Sequence, residues 1–88
     1  MEEEKYGEAL PYFEKLISIN PEATPYRYNR AVTLFNLKQY KRALTDYLFL
    51  ASFDAEEPEY PFQIGNIYEQ LDSLKKAEVY YSKAIELE

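Results

Sequence analysis

An all-α fold, a stack of antiparallel helix pairs, is what this sequence predicts, and three observations predict it. Ala9, Ala43 and Ala77 stand 34 residues apart, each with an apolar residue three before it and an aromatic four after: Tyr6 and Phe13, Tyr40 and Tyr47, Leu74 and Tyr81. Between prolines and polar turns, the apolar residues recur with the 3–4 spacing of one helix face. A fixed period of this length, with one helical face repeated in it, marks units that stack because none can bury its apolar side alone. The expectation is five helices in about two and a half units: a partial unit over 1–23, a second over 24–57 and a third over 58–88, together one domain.

The first helix is expected from about Tyr6 to Ile19, with Ala9, Phe13, Leu16 and Ile17 as its stripe. Asn20-Pro21 ends it, because proline cannot continue the hydrogen-bond ladder and disfavours helical geometry in the residue before it. Pro11 falls near its first turn, where a missing N–H costs little. Thr24-Pro25 starts the second helix, with Thr as N-cap and Pro at the first helical position. That helix runs to about Leu37 and packs through Ala31, Leu34 and Leu37.

The third helix, about Tyr40 to Phe53, carries Ala43, Leu44, Tyr47, Leu48, Leu50 and Ala51. Asp54-Ala-Glu-Glu-Pro58 is a polar turn, and Tyr60-Pro61 opens a fourth helix that continues to Leu71 through Ile64, Gly65, Ile67 and Tyr68. The last helix spans about Leu74 to Leu87. Gly65 and Ala31 share a position in their units, and a mid-helix glycine costs up to about 1 kcal/mol, so close approach of a neighbouring helix is the expected reason for it. Arg27 and Arg30 fit the helix's packing pattern less comfortably; their stems are expected to pack with their heads reaching solvent, or the helix to be slightly rotated.

Composition excludes whole classes of function. With neither cysteine nor histidine, the chain has no disulfide, thiolate or imidazole metal ligand, cysteine nucleophile or Ser-His-Asp arrangement. A carboxylate pair such as Glu56 and Glu57 lies in a solvated turn, and no glycine-rich phosphate loop is present, so an enzyme is not expected, and neither is a cofactor. A net charge of −6 with scattered Lys and Arg opposes binding to nucleic acid or an anionic membrane. The run Glu2-Glu3-Glu4 reads as a solvated helix start or a frayed end. A charged start and the absence of a long apolar stretch lead to the expectation of a soluble, cytoplasmic protein. Ten tyrosines and no tryptophan suit thin helical layers or the wall of a peptide groove, since a tyrosine ring packs while its hydroxyl stays wet.

The alanine-centred period of 34 and its recurring aromatics resemble the tetratricopeptide repeat. That resemblance implies a concave groove lined by the first helix of each unit, and a protein or peptide partner. The groove positions would be Pro25, Tyr28, Asn29, Val32, Phe35 and Asn36, then Glu59, Phe62, Gln63, Asn66, Glu69 and Gln70. Amides could pair with a peptide backbone while aromatic walls hold its side chains. The family's clamp for acidic heat-shock tails requires an asparagine that Asn29 matches, but Glu59 and Gln63 stand where it requires cations.

The run Glu57-Pro58-Glu59-Tyr60-Pro61-Phe62, followed by Leu74 and Ala77-Glu78, further resembles the bacterial type III secretion chaperones that escort translocator proteins. This resemblance implies a chaperone whose groove holds a proline- and leucine-bearing segment of a secreted translocator, with Tyr28, Asn29, Val32, Phe35, Phe62, Gln63 and Asn66 as its peptide-binding residues. The alternative is a generic repeat scaffold in a multiprotein assembly. Only five residues precede Tyr6, so part of the first helix should lie uncovered, and the chain is expected to be a fragment of a longer protein, or else a homodimer buries that face.

Overall fold

A computed structural model describes the backbone of residues 2–88 and the side chains of residues 4–88. Among these, five helices and no strand occur: α1 (Glu2–Ile19), α2 (Thr24–Asn36), α3 (Tyr40–Phe53), α4 (Glu59–Gln70) and α5 (Leu74–Leu87). Each helix packs on the next, and the shortest dimension, 17 Å, is that of two helix layers. The core is Ala31 and Leu34 of α2, Ala43, Tyr47 and Leu50 of α3, and Ile64 and Ile67 of α4.

The period of the sequence is also a period of the backbone. Lys38 and Asp72, 34 residues apart, both adopt φ 64°, the left-handed conformation that closes a helix. After α2, the N–H of Gln39 reaches the Leu34 carbonyl at 2.8 Å and that of Lys38 reaches Phe35 at 2.9 Å; Ser73 to Tyr68 and Asp72 to Glu69 repeat the pattern after α4 at 2.8 and 3.0 Å. These paired bonds satisfy carbonyls that the helix ends would otherwise leave open, and they turn the chain back antiparallel.

Gly65 is buried where α4 meets α5, and a Cβ there would sit 2.7 Å from two ring atoms of Tyr81. The glycine therefore permits the close approach expected of it. Gly65→Ala should destabilise the domain by about 1–3 kcal/mol, because displacing the Tyr81 ring outweighs a propensity gain of up to about 1 kcal/mol. A urea midpoint that stayed constant or rose would show that the ring moves freely and that packing does not require the glycine.

Three expectations need correction. α1 begins at Glu2, a turn before Tyr6, since acidic residues favour the positive N-terminal end of the helix dipole. Glu4 is exposed, whereas the expectation that Glu2 and Glu3 are solvated lies outside the described side chains. Pro11 consequently stands inside α1 rather than at its start. Both Pro11 and Gly7, whose carbonyl loses its bond to residue 11, are exposed, so water can take that bond. Thr24 is not the cap of α2: Ala23 occupies that place without a side-chain hydrogen bond, and Thr24 is already helical.

Thirdly, Arg27 and Arg30 are half-buried, their side chains only 14% and 20% exposed, rather than extended into solvent. Both turn toward Asp46 of α3, which is 1% exposed. Arg30 Nε and Nη2 donate to the two carboxylate oxygens of Asp46 at 2.9 and 2.8 Å. Arg27 Nη1 lies 3.6 Å from the same carboxylate, and its guanidinium stacks 3.9 Å over the Phe49 ring. A buried cation–anion–cation layer thus joins α2 to α3.

α1 packs mainly on α2, with an ion pair from Glu14 to Arg42 of α3 at 2.6 Å, and Ile17 is its one buried residue among those described. Ala9 is half-buried whereas Ala43 and Ala77 are buried, which fits the expectation that part of the first helix lies uncovered.

Candidate peptide-binding surface

The seven residues expected to line a groove divide between α2, which carries Tyr28, Asn29, Val32 and Phe35, and α4, which carries Phe62, Gln63 and Asn66. Spacings of three and four place Tyr28, Val32 and Phe35 on one face of α2, and Phe62 and Asn66 on one face of α4. The helices that hold them are fixed from behind by Ala31, Leu34, Ile64 and Ile67.

On α2, the aromatic residues are shared between surface and core. Tyr28 is half-buried, its ring edge-on to Tyr47 at 6.3 Å and tilted against Tyr60 at 6.4 Å, and its hydroxyl donates to the Glu59 carboxylate. Tyr28 therefore ties α2 to both α3 and α4. Phe35 is half-buried with its ring 5.4 Å from Tyr40, and Val32 is half-buried between these two levels. Asn29 is exposed; its carbonyl accepts the Thr33 hydroxyl at 2.8 Å. A hollow of about 320 Å³ opens beside Tyr28, walled by Thr24, Pro25, Tyr60 and the carboxylates Glu57 and Glu59.

On α4, two of the expected residues contact a residue the sequence reading did not place in the site, Tyr81 of α5, and a third joins them through Asn66. Phe62 is 49% exposed, with its ring 5.7 Å from that of Tyr81. The Tyr81 hydroxyl lies 2.6 Å from Asn66 Oδ1 and 2.8 Å from Glu69 Oε1, and Asn66 Nδ2 donates to Gln63 Oε1 at 3.2 Å. The signal for Tyr81 was present as the aromatic four residues after each alanine, but that position reads as packing. Glu59, expected at a groove position and as a residue that opposes a carboxylate clamp, accepts the Tyr28 hydroxyl, a role the sequence did not indicate.

The two hydroxyls that anchor these clusters are both hard to ionise. The hydrogen bond to the Glu59 carboxylate, with burial behind it, pushes Tyr28 up to about 12; burial, then the Glu69 hydrogen bond, pushes Tyr81 up to about 12. Because the folded-state values lie above the ordinary tyrosine value of about 10, the stabilisation is complete below about pH 10 and disappears as pH rises through 12. An absorbance titration should leave these tyrosines un-ionised at pH 11, and Glu59→Gln should move one of them back toward an ordinary value. Ionisation of all ten tyrosines in one step near pH 10 would contradict both hydrogen bonds.

No helix among the described residues is long and apolar enough to cross a membrane, and no group of three potential metal-ligating side chains occurs among them.

Comparison with known proteins agrees with this architecture. Models of the tetratricopeptide repeat match residues 1–45 and residues 59–88. The Hsp70-Hsp90 organising protein of Plasmodium falciparum (isolate 3D7) is 32% identical over 74 residues, which cover 78% of this chain and 12% of that one. Among solved structures, MamA from MSR-1 superposes with a TM-score of 0.89 at 29% identity, over 94% of this chain and 48% of that one. MamA from AMB-1 gives 0.90 at 27% identity, over 96% and 50%. The chain thus spans about half the length of these solved structures and a small part of the curated relative.

Proposed function

This chain belongs to the tetratricopeptide repeat family, and from that premise we propose that it is a protein-interaction module that holds an extended apolar peptide along α2 and α4. The observation that carries this reading is the exposure of Phe62 on a rigid support. A ring that is 49% exposed yet braced by Tyr81 can take up a partner's side chain with little loss of its own freedom. Asn29 and Gln63 would supply backbone hydrogen bonds, and Tyr28, Val32 and Phe35 an apolar wall.

Two partner classes follow. The resemblance of Glu57–Phe62 to the translocator chaperones favours a proline- and leucine-bearing segment of a secreted translocator. In this structure the run also serves the fold: Pro58 caps α4, Glu59 N–H bonds Glu57 Oε2 at 3.1 Å, and Pro61 is buried. The second class is a partner within a larger assembly, for which this chain is a scaffold repeat; the similarity to a protein named for organising Hsp70 and Hsp90 favours that one. An acidic tail does not fit the hollow beside Tyr28, because Glu57 and Glu59 wall it.

Phe62→Ala should weaken a groove-bound Pro-x-Leu-x-x-Pro peptide by about 2 kcal/mol, roughly 30-fold, with helix content retained. Asn29→Ala should lower affinity with little loss of stability. Calorimetric titration beside circular dichroism separates the outcomes: unfolding on Phe62→Ala would assign that ring to the core, and unchanged affinity on Asn29→Ala would remove Asn29 from the site.

A further inference from the structure

Two half-buried carboxylates, one just before α4 and one at its start, share a hollow without a cation. Glu57 and Glu59 wall the space of about 320 Å³ beside Tyr28. Among the described residues neither forms a salt bridge, and no lysine or arginine lines the hollow. Both are held in place: Glu59 accepts the Tyr28 hydroxyl, and Glu57 Oε2 accepts the Glu59 N–H at 3.1 Å. Two of the other walls are aromatic, the Tyr28 and Tyr60 rings standing 6.4 Å apart at 53°. The starts of α2 and α4 border the hollow, each carrying about half a positive charge, so two carboxylates leave it negative by about one unit. Both tyrosines respond to their acidic neighbours. The Glu59 hydrogen bond, then burial, pushes Tyr28 up to about 12; burial, then the Glu57 carboxylate, pushes Tyr60 up.

We propose that this hollow receives the charged head of a lysine or arginine of the groove-bound peptide, two positions from the apolar residue that meets Phe62. The site rests on the groove along α2 and α4 proposed above and adds to it a class of partner, a segment both basic and apolar. Carboxylates and aromatic rings are the two kinds of group that stabilise an ammonium or guanidinium, and the hollow brings both together. An apolar side chain there would take two carboxylates from water with nothing to pair them, and an acidic one would add a like charge. The spacing follows from the helix. Glu59 stands one turn before Phe62, about 5 Å along α4, and residues on one side of an extended peptide recur about every 7 Å.

Fluorescence anisotropy of the full chain with labelled peptides tests the site. One set carries lysine, norleucine or glutamate at the fifth position of Pro-x-Leu-x-x-Pro. A second set carries them at the first position, so that either chain direction brings the varied residue beside the hollow. In one of the sets the lysine peptide should bind about tenfold more tightly than its norleucine twin, and the glutamate peptide more weakly than both. Glu57→Gln with Glu59→Gln, which keeps an oxygen acceptor for each hydrogen bond, should abolish the preference for lysine. Glu8→Gln with Glu86→Gln removes the same charge from exposed positions outside the hollow and should leave that preference unchanged. Equal affinities within both sets, with the norleucine peptide still weakened by Phe62→Ala, would overturn the cation site and leave the groove standing. A preference that survives the loss of Glu57 and Glu59, or falls as far with the control pair, would come from net charge and would overturn it too. No binding by any peptide at millimolar concentration would overturn the groove, and this site with it.

Discussion

Asp46→Ala should destabilise the domain by about 3–5 kcal/mol, the range for removing one member of a buried ion pair. A chain of this length has a total stability of about 4–13 kcal/mol, so the variant should be largely unfolded near the lower bound. Asp46 is 1% exposed and is the only carboxylate, among the described residues, within ion-pair distance of Arg27 and Arg30. Without it two arginine side chains of α2, 14% and 20% exposed, would be left without a counter-charge at the α2–α3 contact. The cost belongs to breaking the layer rather than to the worth of having it. One unit later, the equivalent positions are Pro61, Ile64 and Tyr80, an apolar set in the same place, with Pro61 and Ile64 buried and Tyr80 half-buried. Replacing all three, as Arg27→Leu with Arg30→Ile and Asp46→Tyr, should therefore restore most of the stability that Asp46→Ala loses. Urea unfolding of the wild type, single and triple variants checks both statements. A single variant as stable as the wild type would mean that water screens the arginines and that the layer is not buried in solution.

Tyr47→Ala should cost about 3–5 kcal/mol, whereas Tyr81→Ala, the same residue type at the same place in the period, should cost only about 1–2 kcal/mol. Tyr47 is 2% exposed, the largest fully buried side chain, and it contacts the Tyr28 ring; α4 packs on the helix that carries it. Tyr81 is half-buried between two hollows along α5, and its hydroxyl keeps hydrogen bonds at the rim. Truncation at Tyr47 leaves a cavity enclosed on several sides, while truncation at Tyr81 opens to water. Urea midpoints at unchanged slope measure the difference. Equal losses would mean that Tyr81 is as well covered in solution as Tyr47.

The bounds of α3 and α5 were legible in the sequence because their apolar stripes are regular and their turns fall at fixed intervals. The role of Gly65 was legible for the same reason: a glycine inside a strong helical pattern needs a neighbour to justify it. The Arg27–Asp46–Arg30 layer was not, because hydrophobic periodicity skips charged residues and the pairing spans 16 residues or more of sequence. Asp46 lies on the stripe of Ala43, Tyr47 and Leu50, and an acid there opposite two misplaced arginines was the available signal. The start of α1 was missed because charged residues carry no stripe. Of the candidate site, the residues on α2 and α4 follow from the repeat pattern. The contacts of Phe62 and Asn66 with Tyr81 required knowing how closely α5 approaches α4.

The central claim is that a peptide lies along α2 and α4. Titrating the isotope-labelled chain with a Pro-x-Leu-x-x-Pro peptide, and following backbone and side-chain amides by NMR, tests it most directly. The claim predicts saturable shifts at Tyr28, Asn29, Val32, Phe35, Phe62, Gln63 and Asn66, carried on to Tyr81 through its contacts with Phe62 and Asn66. Shifts confined to α1, to the α3 surface, or to none of these residues at millimolar peptide would contradict it.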